Sequence, residues 1–544
     1  MIILGLHGGI TQLQHDPSAT LLVDGRIVAA CEEERFVRFK SALGHLPIRS
    51  INACLKIAGI DIRQVDHIAH IGVSYPDMAD RIRQYLEYYF GYAPPIRLVH
   101  HQYAHLASAF FCSDFERAMC ISCDGWGDEK SGAIAIGSDA GLEILDTFDK
   151  DQSLGQVYAS ITSFLGFSVN EDEYKVMGLA PYGSAGIDLS PIARPVPGGY
   201  AADSRFWTRA LPAQSRYEPW YGDAMLDLLG APRRHGESLT ARHRDIAHAV
   251  QKTFESCLTS VVEDLHRRTG LDSLCLAGGC ALNCSANLTL AQLPFIRHQF
   301  VQPAASDRGI SLGAALLVAW ELGERVARGL EHVYLGPMYD DDAILKTLRL
   351  TGVDFDEPAD PIALAADLLA EGRIVGWFQG RSEFGPRALG NRSILANPGV
   401  PDMKDRINAR VKFREEFRPF APSVLAERAD DLFDCPIEDG ASPFMTMGQP
   451  VRADWRPRLP AVTHVNGTGR VQAVSRATNP RYHALIEAFD RRTGIPAVLN
   501  TSFNVRGEPI VETPLNALAT FTASGLDALF IGPFMIRKPR QPGL

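Results

Sequence analysis

Two histidines four residues apart, His101 and His105, stand in the run His-His-Gln-Tyr-Ala-His-Leu-Ala-Ser-Ala. On a helix this spacing puts both imidazoles on one face about one turn apart, a chelating geometry for a transition metal. Two aspartates in motif-like settings complete a candidate ligand set. Asp124 lies in Cys-Asp-Gly-Trp-Gly-Asp (123–128), and Asp307 in Pro-Ala-Ala-Ser-Asp-Arg-Gly (303–309). A His2Asp2 site with open positions would be a Lewis acid beside whatever binds at the neighbouring glycine-rich turns. Such a donor set suits iron(II), zinc, manganese or cobalt. Asp307 also precedes an Ala/Gly-rich helical stretch from Ile310 to Trp320, and an aspartate there is more often a cap than a ligand. The histidine pair turns the reading toward metal.

A second chemistry-bearing region is basic. Arg387 and Arg392 lie in Gly-Pro-Arg-Ala-Leu-Gly-Asn-Arg-Ser, and Lys412, Arg414 and Arg418 in Lys-Phe-Arg-Glu-Glu-Phe-Arg-Pro-Phe-Ala-Pro. Arg470 comes next, and then Asn500 and Ser502 in Leu-Asn-Thr-Ser-Phe-Asn. A solvated surface is the plain reading of such a run. Alternation with Phe, Pro and Gly is a poor pattern for an exposed helix, so an anion pocket is the better one. Arg supplies bidentate donors to phosphate oxygens, and Asn500 and Ser502 add hydrogen bonds. Each charge-assisted contact is worth about 1.5–3 kcal/mol, enough in combination for a small doubly charged ligand such as an acyl phosphate.

The elements that position these residues read as α/β. Ile2–Gly9 is an apolar strand ending in glycines; Ala19–Val23, the turn Asp24-Gly25 and Arg26–Cys31 form a hairpin. The layout recurs: strand 118–123, glycine turn at Asp124-Gly125, strands 131–136 and 142–148. Two such units, each with helices after it, are what a duplicated actin-like ATPase fold looks like, its turns cradling phosphates with backbone N–H groups; two unrelated mixed sheets are the alternative. Leu274–Asn283 adds a strand running into Gly278-Gly279 and a helix, a place where backbone can approach a flat ligand. Composition shifts at the polar Gly336–Asp342 stretch, so the expected domains are 1–345 and 346–544. Segments 185–200 and 448–460 read as surface insertions.

The whole chain sets limits. At 544 residues it exceeds one compact core. Its net charge of −10 argues against a nucleic-acid partner. The first residues lack a positive n-region and a cleavage site, and Ile310–Trp320 is too short to span a bilayer, so no membrane partner and a cytoplasmic location are expected. Ten cysteines sit mostly in apolar runs, as reduced buried thiols do. Cys120-x-x-Cys123 reads as packing within a strand before redox or zinc chemistry.

Taken in order, the motifs resemble the O-carbamoyltransferases of antibiotic and nodulation-factor biosynthesis, the group of tobramycin, cephem and ansamycin carbamoyltransferases and NodU. The resemblance rests on His15-Asp-Pro-Ser-Ala, Glu33-Glu-Arg-Phe, His101-x-x-x-His105, Asp124-Gly, Glu173-Tyr-Lys-Val-Met-Gly-Leu-Ala-Pro-Tyr-Gly, Gly278-Gly-x-Ala-Leu-Asn, Asp307, Gly385-Pro-Arg-Ala-Leu-Gly, Phe417-Arg-Pro-Phe-Ala-Pro and Asn500-Thr-Ser-Phe-Asn. It implies a TsaD-like metal domain (duplicated actin-like) and then an α+β YrdC-like domain. It implies iron(II) on His101, His105, Asp124 and Asp307, and places Lys40, Lys175, Gly278, Gly279 and Asn283 by the adenylate. Arg387, Lys412, Arg418, Arg470, Asn500 and Ser502 would bind carbamoyl phosphate and ATP, with Mg2+ accompanying the nucleotide. Carbamoyl adenylate made in the second domain would be consumed in the first, with His15 as general base for a hydroxylated small-molecule acceptor; the alternative is that His15 caps the turn before Pro17. A tRNA threonylcarbamoyl-type transferase and an actin-like-fold small-molecule kinase are the rival functions. The acceptor, the native metal and the oligomeric state are not readable from the chain.

Overall fold

The apolar run Ile2–His7 forms β1, the first strand of a hairpin-led sheet. The computed structural model describes residues 1–10, 14–208 and 218–538. Ser18–Val23 (β2) pairs antiparallel with β1. Asp24 and Gly25 both take positive φ, 49° and 70°, and turn the chain into Arg26–Glu32 (β3). His67–Ile71 (β4) and Ile96–Val99 (β5) add in parallel, giving the order β3-β2-β1-β4-β5.

A second sheet repeats this order. Ala118–Gly127 (β6), Lys130–Ser138 (β7) and Gly141–Asp149 (β8) form an antiparallel meander. Ala193–Val196 (β9) and Gly199–Ala202 (β10) make a separate hairpin that overlaps the 185–200 segment and runs past it. Ser273–Ala277 (β11) then pairs parallel with β6, and His298–Val301 (β12) parallel with β11. The resulting order, β12-β11-β6-β7-β8, is the first sheet's order over again. The repeated glycine-turn hairpins in the sequence are the local trace of that duplication.

Two buried helices carry the site. His101–Phe110 is buried at nearly every position, as is Ile310–Glu321 through Ala319. The pair crosses closely because Gly313 lacks a side chain: a Cβ there would lie 1.8 Å from the carbonyl oxygen of Ala104. Gly5 does the same for β1, where a Cβ would lie 1.9 Å from the Ser311 oxygen. These contacts bring the start of the second helix, with Asp307 just ahead of it, beside His105.

The remaining strands build a mixed sheet. They are Val375–Phe378 (β13), Arg392–Ala396 (β14), Ala421–Leu425 (β15), Gln472–Val474 (β18), Ala497–Ser502 (β19), Ala528–Ile531 (β20) and Phe534–Arg537 (β21), with Gln449–Pro450 (β16) and Thr468–Gly469 (β17) paired apart. The order is β18-β15-β19-β14-β13-β20-β21. Trp377, Phe378, Tyr482, Phe503 and Phe530 lie in its core. Three of the helices that pack here begin alike. A cap (Asp360, Asn479 or Thr513) accepts a backbone N–H in the first turn, and proline comes directly after it, where its missing N–H costs no bond.

The chain divides into two compact units: Met1–Ala30, Leu43–Leu330 and Pro436–Asp439, and then Cys31–Ala42, Glu331–Cys435 and the residues from Gly440. The passage thus falls before the polar Gly336–Asp342 stretch rather than after it at 345, and the segment carrying Lys40 belongs to the second unit. Its charged side chains explain why. Arg35 Nη2 donates to the Gly385 oxygen at 2.5 Å, and the Arg38 guanidinium to the carbonyls of Ile510 and Pro509 at 2.6 and 2.9 Å.

Candidate metal centre and basic cluster

The helix His101–Phe110 starts after His100, whose ring nitrogen accepts the Gln102 N–H at 3.1 Å. Burial leaves His101 2% and His105 0% exposed. Asp124 enters from a bulge in β6, where the register with β7 shifts between Cys123 and Gly127; bulges re-aim side chains in this way. Asp307 enters from the turn before Ile310. His101 Nε2 lies 3.1 Å from Asp124 Oδ2 and 3.6 Å from Asp307 Oδ1. His105 Nε2 lies 3.5 and 3.6 Å from the same two oxygens. One ligand atom from each of the four residues falls within 4.8 Å of the others.

The spacing fits a cation. Bonds of 2.0–2.2 Å in a tetrahedron leave ligand atoms roughly 3.3–3.6 Å apart, while the His105 contacts are long for hydrogen bonds. Neither ring nitrogen of His105 has a hydrogen-bond partner among the described residues, and an orphaned buried nitrogen is costly. The outward oxygens face polar groups of the protein. Asp124 Oδ1 accepts the Gly279 N–H at 3.0 Å, and Asp307 Oδ2 faces His7 Nε2 at 3.5 Å.

Two carboxylates in a largely buried cluster require positive charge. Burial by itself would lower the His105 pKa, but the Asp124 and Asp307 carboxylates, 3.5 and 3.6 Å from Nε2, more than offset this and lift it to about 9. Both carboxyls are held far below the usual range against the opposing effect of burial, by the neighbouring imidazoles. A divalent cation would satisfy the same demand with neutral rings.

His15 stands at the edge, its side chain 30% exposed, with Nδ1 3.5 Å from Asp16 Oδ2 and Nε2 4.0 Å from Asp307 Oδ2. Burial opposes protonation; the bond to Asp16 and the charges of Asp307, Asp16 and Asp124 nevertheless raise its pKa to about 9. Asp16 is locked by Arg308 Nη2 at 2.7 Å, a pairing hidden from sequence reading because the partners stand 292 positions apart.

The residues assigned to the nucleotide are placed individually. Gly278 has φ 87° and sits on the Cys123 backbone, where a Cβ would lie 2.2 Å from its oxygen. Asn283 is buried and occupied: it caps the Ala286 N–H at 3.0 Å and exchanges two bonds with Gln251, at 2.9 and 3.1 Å. Lys175 Nζ donates to Asp172 Oδ2 at 2.9 Å. Lys40 lies in the other unit.

In the second unit, β19 contacts Lys412 and chain neighbours of Arg387 and Arg470. Asn500 and Ser502 alternate with Thr501 and so share a face. Asn500 Nδ2 donates to the Ala388 oxygen, next to Arg387, at 3.1 Å, and to Gln472 Oε1, two residues past Arg470, at 3.2 Å. Lys412 Nζ donates to the Ser502 carbonyl, the Ser502 hydroxyl, the Asn504 carbonyl and Asn504 Oδ1. Burial and then the charges of Arg414 and Arg418 push the Lys412 pKa well down. Arg418 pairs with Glu415 at 3.6 Å. All ten cysteines are free, and Cys120 and Cys123 lie buried in β6. No helix among the described residues is long and apolar enough to cross a membrane.

Comparison with known proteins matches both halves of the chain. The family described as Carbamoyltransferase N-terminus matches residues 85–316, and Carbamoyltransferase C-terminus matches residues 366–538. The nodulation protein NolNO of Sinorhizobium fredii is 40% identical over 99% of this chain and 83% of its own. The uncharacterized protein MJ1051 of Methanocaldococcus jannaschii is 32% identical over 99% of this chain and all (100%) of its own. Among solved structures, component A of (R)-2-hydroxyglutaryl-CoA dehydratase from Acidaminococcus fermentans covers 58% of this chain and 97% of its own at 15% identity. Its TM-score of 0.34 is too low to carry a functional argument. With both halves matched and relatives spanning nearly its whole length, the chain belongs to the carbamoyltransferase family.

Proposed function

We propose that this chain is an O-carbamoyltransferase that consumes carbamoyl phosphate and ATP and carbamoylates a hydroxyl of a small natural product. On this reading the first unit is a duplicated actin-like, TsaD-like transfer unit and the second a YrdC-like adenylate-forming unit. Carbamoyl phosphate and water give carbamate and phosphate. A carbamate oxygen attacks the α-phosphorus of ATP, and the bond to pyrophosphate breaks. The acceptor hydroxyl then attacks the carbamoyl carbon of the adenylate, and AMP leaves with the bonding electrons.

The observation that carries the reading is the convergence of His101, His105, Asp124 and Asp307 within 4.8 Å in a chain of this family. Those four would hold a divalent cation, iron(II) by family resemblance, which supplies Lewis acidity toward a carbonyl oxygen. The other roles fall to the chain itself. His15 Nε2 takes the proton of the attacking hydroxyl. It can do so only when neutral, and Asp16 and Asp307 favour its charged form; cationic charge nearby acts the other way. Arg387, Arg418 and Arg470 orient anionic oxygens, with Asn500 and Ser502 as neutral partners, where charge accumulates as the adenylate forms. Lys412 would join them by exchanging a protein oxygen for a phosphate oxygen. Lys40, Lys175, Gly278, Gly279 and Asn283 are assigned to the nucleotide, Asn283 on condition that it gives up a bond to Gln251.

The test is to incubate the protein with ATP, carbamoyl phosphate and a panel of hydroxylated natural products, tracking pyrophosphate and product mass. Pyrophosphate release with a gain of one carbamoyl group is the expected result. ADP with a phosphorylated acceptor would instead make it a kinase, and carbamoyl-type transfer to tRNA a tRNA-modifying enzyme.

A further inference from the structure

One carboxylate outside the candidate ligand set bonds to the start of the His101–Phe110 helix. Asp128, buried at 7% exposure, accepts four hydrogen bonds. Its Oδ2 takes the N–H of His101 at 2.9 Å and of Gly72 at 3.2 Å. Its Oδ1 takes the N–H of Ser74 at 3.1 Å and the Ser74 hydroxyl at 2.6 Å. Three segments meet there: the end of β4, the turn between β6 and β7, and the first residue of the His101–Phe110 helix. A negative charge at that end of a helix also opposes the positive pole of its dipole.

The turn that presents Asp128 departs from the favoured loop sequence at its second residue. Gly127 pairs with Lys130, so Asp128 and Glu129 form a two-residue hairpin loop, with φ of 49° and 65°. Asp suits the first position of such a loop, but the second favours glycine, because left-handed φ is costly for a residue such as Glu129 with a Cβ. The preceding residue is glycine for a reason the site supplies. A Cβ on Gly127 would lie 2.2 Å from both Cγ and Nδ1 of His101. The His101 ring therefore rests on the Gly127 backbone while its own N–H is held by Asp128. Asp124, on the same hairpin, faces that ring's Nε2 at 3.1 Å.

We propose that Asp128 is the positioning residue of the metal centre, fixing the first turn of the His101–Phe110 helix and, with Gly127, the ring of His101 against Asp124. One hairpin then supplies one ligand and clamps another, so their separation is set within a single rigid element. The proposal rests on the metal reading above, and its test separates the two.

The full-length protein is stripped of metal and compared with Asp128→Ala, Asp128→Asn and Ser74→Ala, using Co(II) as the probe. Without metal, amide hydrogen exchange in residues 100–105 should be faster in Asp128→Ala. Its Co(II) Kd should rise about 10–100-fold, the usual cost of losing a partner that orients a ligand. The Co(II) visible band, which reports ligand geometry, should shift. Asp128→Asn keeps one oxygen for the His101 N–H and should fall between, and it carries the comparison if Asp128→Ala does not fold. Ser74→Ala removes a bond that does not reach the helix and should leave Kd and band unchanged. A folded Asp128→Ala with wild-type exchange, Kd and band would overturn the proposal. If the wild-type chain binds no Co(II), the metal reading fails, and the metal-free exchange alone decides whether Asp128 positions the helix.

Discussion

The two clusters of charge answer burial in opposite ways. At His101, His105, Asp124 and Asp307, carboxylates and imidazoles converge, the His105 nitrogens go unbonded and the outward oxygen of Asp124 accepts the Gly279 amide. At Lys412 the ammonium already has four protein oxygens as acceptors, and its charged form is disfavoured by burial and neighbouring arginines. The first has the spacing and the negative charge that a cation would satisfy. The second is closed on itself at Lys412, where an anion would have to displace a protein oxygen. Legible residue types do not reveal which of these states a site is in.

Four experiments sharpen the contrast, from largest effect to smallest. His105→Ala removes a donor that has no other partner, so divalent-metal affinity should fall by more than about 100-fold, beyond the usual cost of an outer partner. A full metal equivalent by elemental analysis would return the pair to a packing role. Arg418→Ala should slow pyrophosphate release about 100-fold, as loss of one donor to developing charge does, with metal content intact; wild-type release would place the anion pocket elsewhere.

The third concerns protons. Metal-free His105 is held at a pKa of about 9, so near pH 7 a cation must displace its proton. Affinity should tighten roughly tenfold per pH unit and level off above that value, with one proton released per ion from this ring. A pH-independent Co(II) titration would contradict it. The smallest effect is on stability. Burial raises the Glu173 pKa to about 7, against the bond from the Asn170 amide and the charge of His15. Between the ordinary carboxylate range and pH 7 the folded state keeps a proton that the unfolded state has lost, so stability falls as pH rises through this window. Glu173→Gln should match wild type near pH 5 and melt about 3 °C higher at pH 8. Equal melting at both would show that Glu173 is solvated.

How far the sequence leads differs by residue. His101 and His105 are readable because a helix turns an interval of four into adjacency. Asp124 and Asp307 are readable only as motif-like aspartates, since the close crossing at Gly313 and Ala104 joins segments far apart in the chain. Asp128 lies in the same Cys-Asp-Gly-Trp-Gly-Asp run as Asp124, yet the run gives no sign of its role, because its partners, His101, Gly72 and Ser74, come from other elements. Asn283 looks available for a nucleotide, yet it caps its helix and pairs with Gln251. Lys40 stands close in sequence to the N-terminal strands, but the segment around it belongs to the second unit.

The sequence by itself determined the fold class, some of the elements and the donors on offer: α/β, two glycine-turn hairpins, a histidine pair at helical spacing, and arginines in a setting unsuited to an exposed helix. Those come from periodicity and turn chemistry, which act over a few residues. Only the tertiary structure decided which donors meet and which are already satisfied. That depends on crossings such as Gly313 on Ala104 and on single hydrogen bonds such as Asp128 to His101. Both are made between segments whose separation along the chain carries no record of their distance in space.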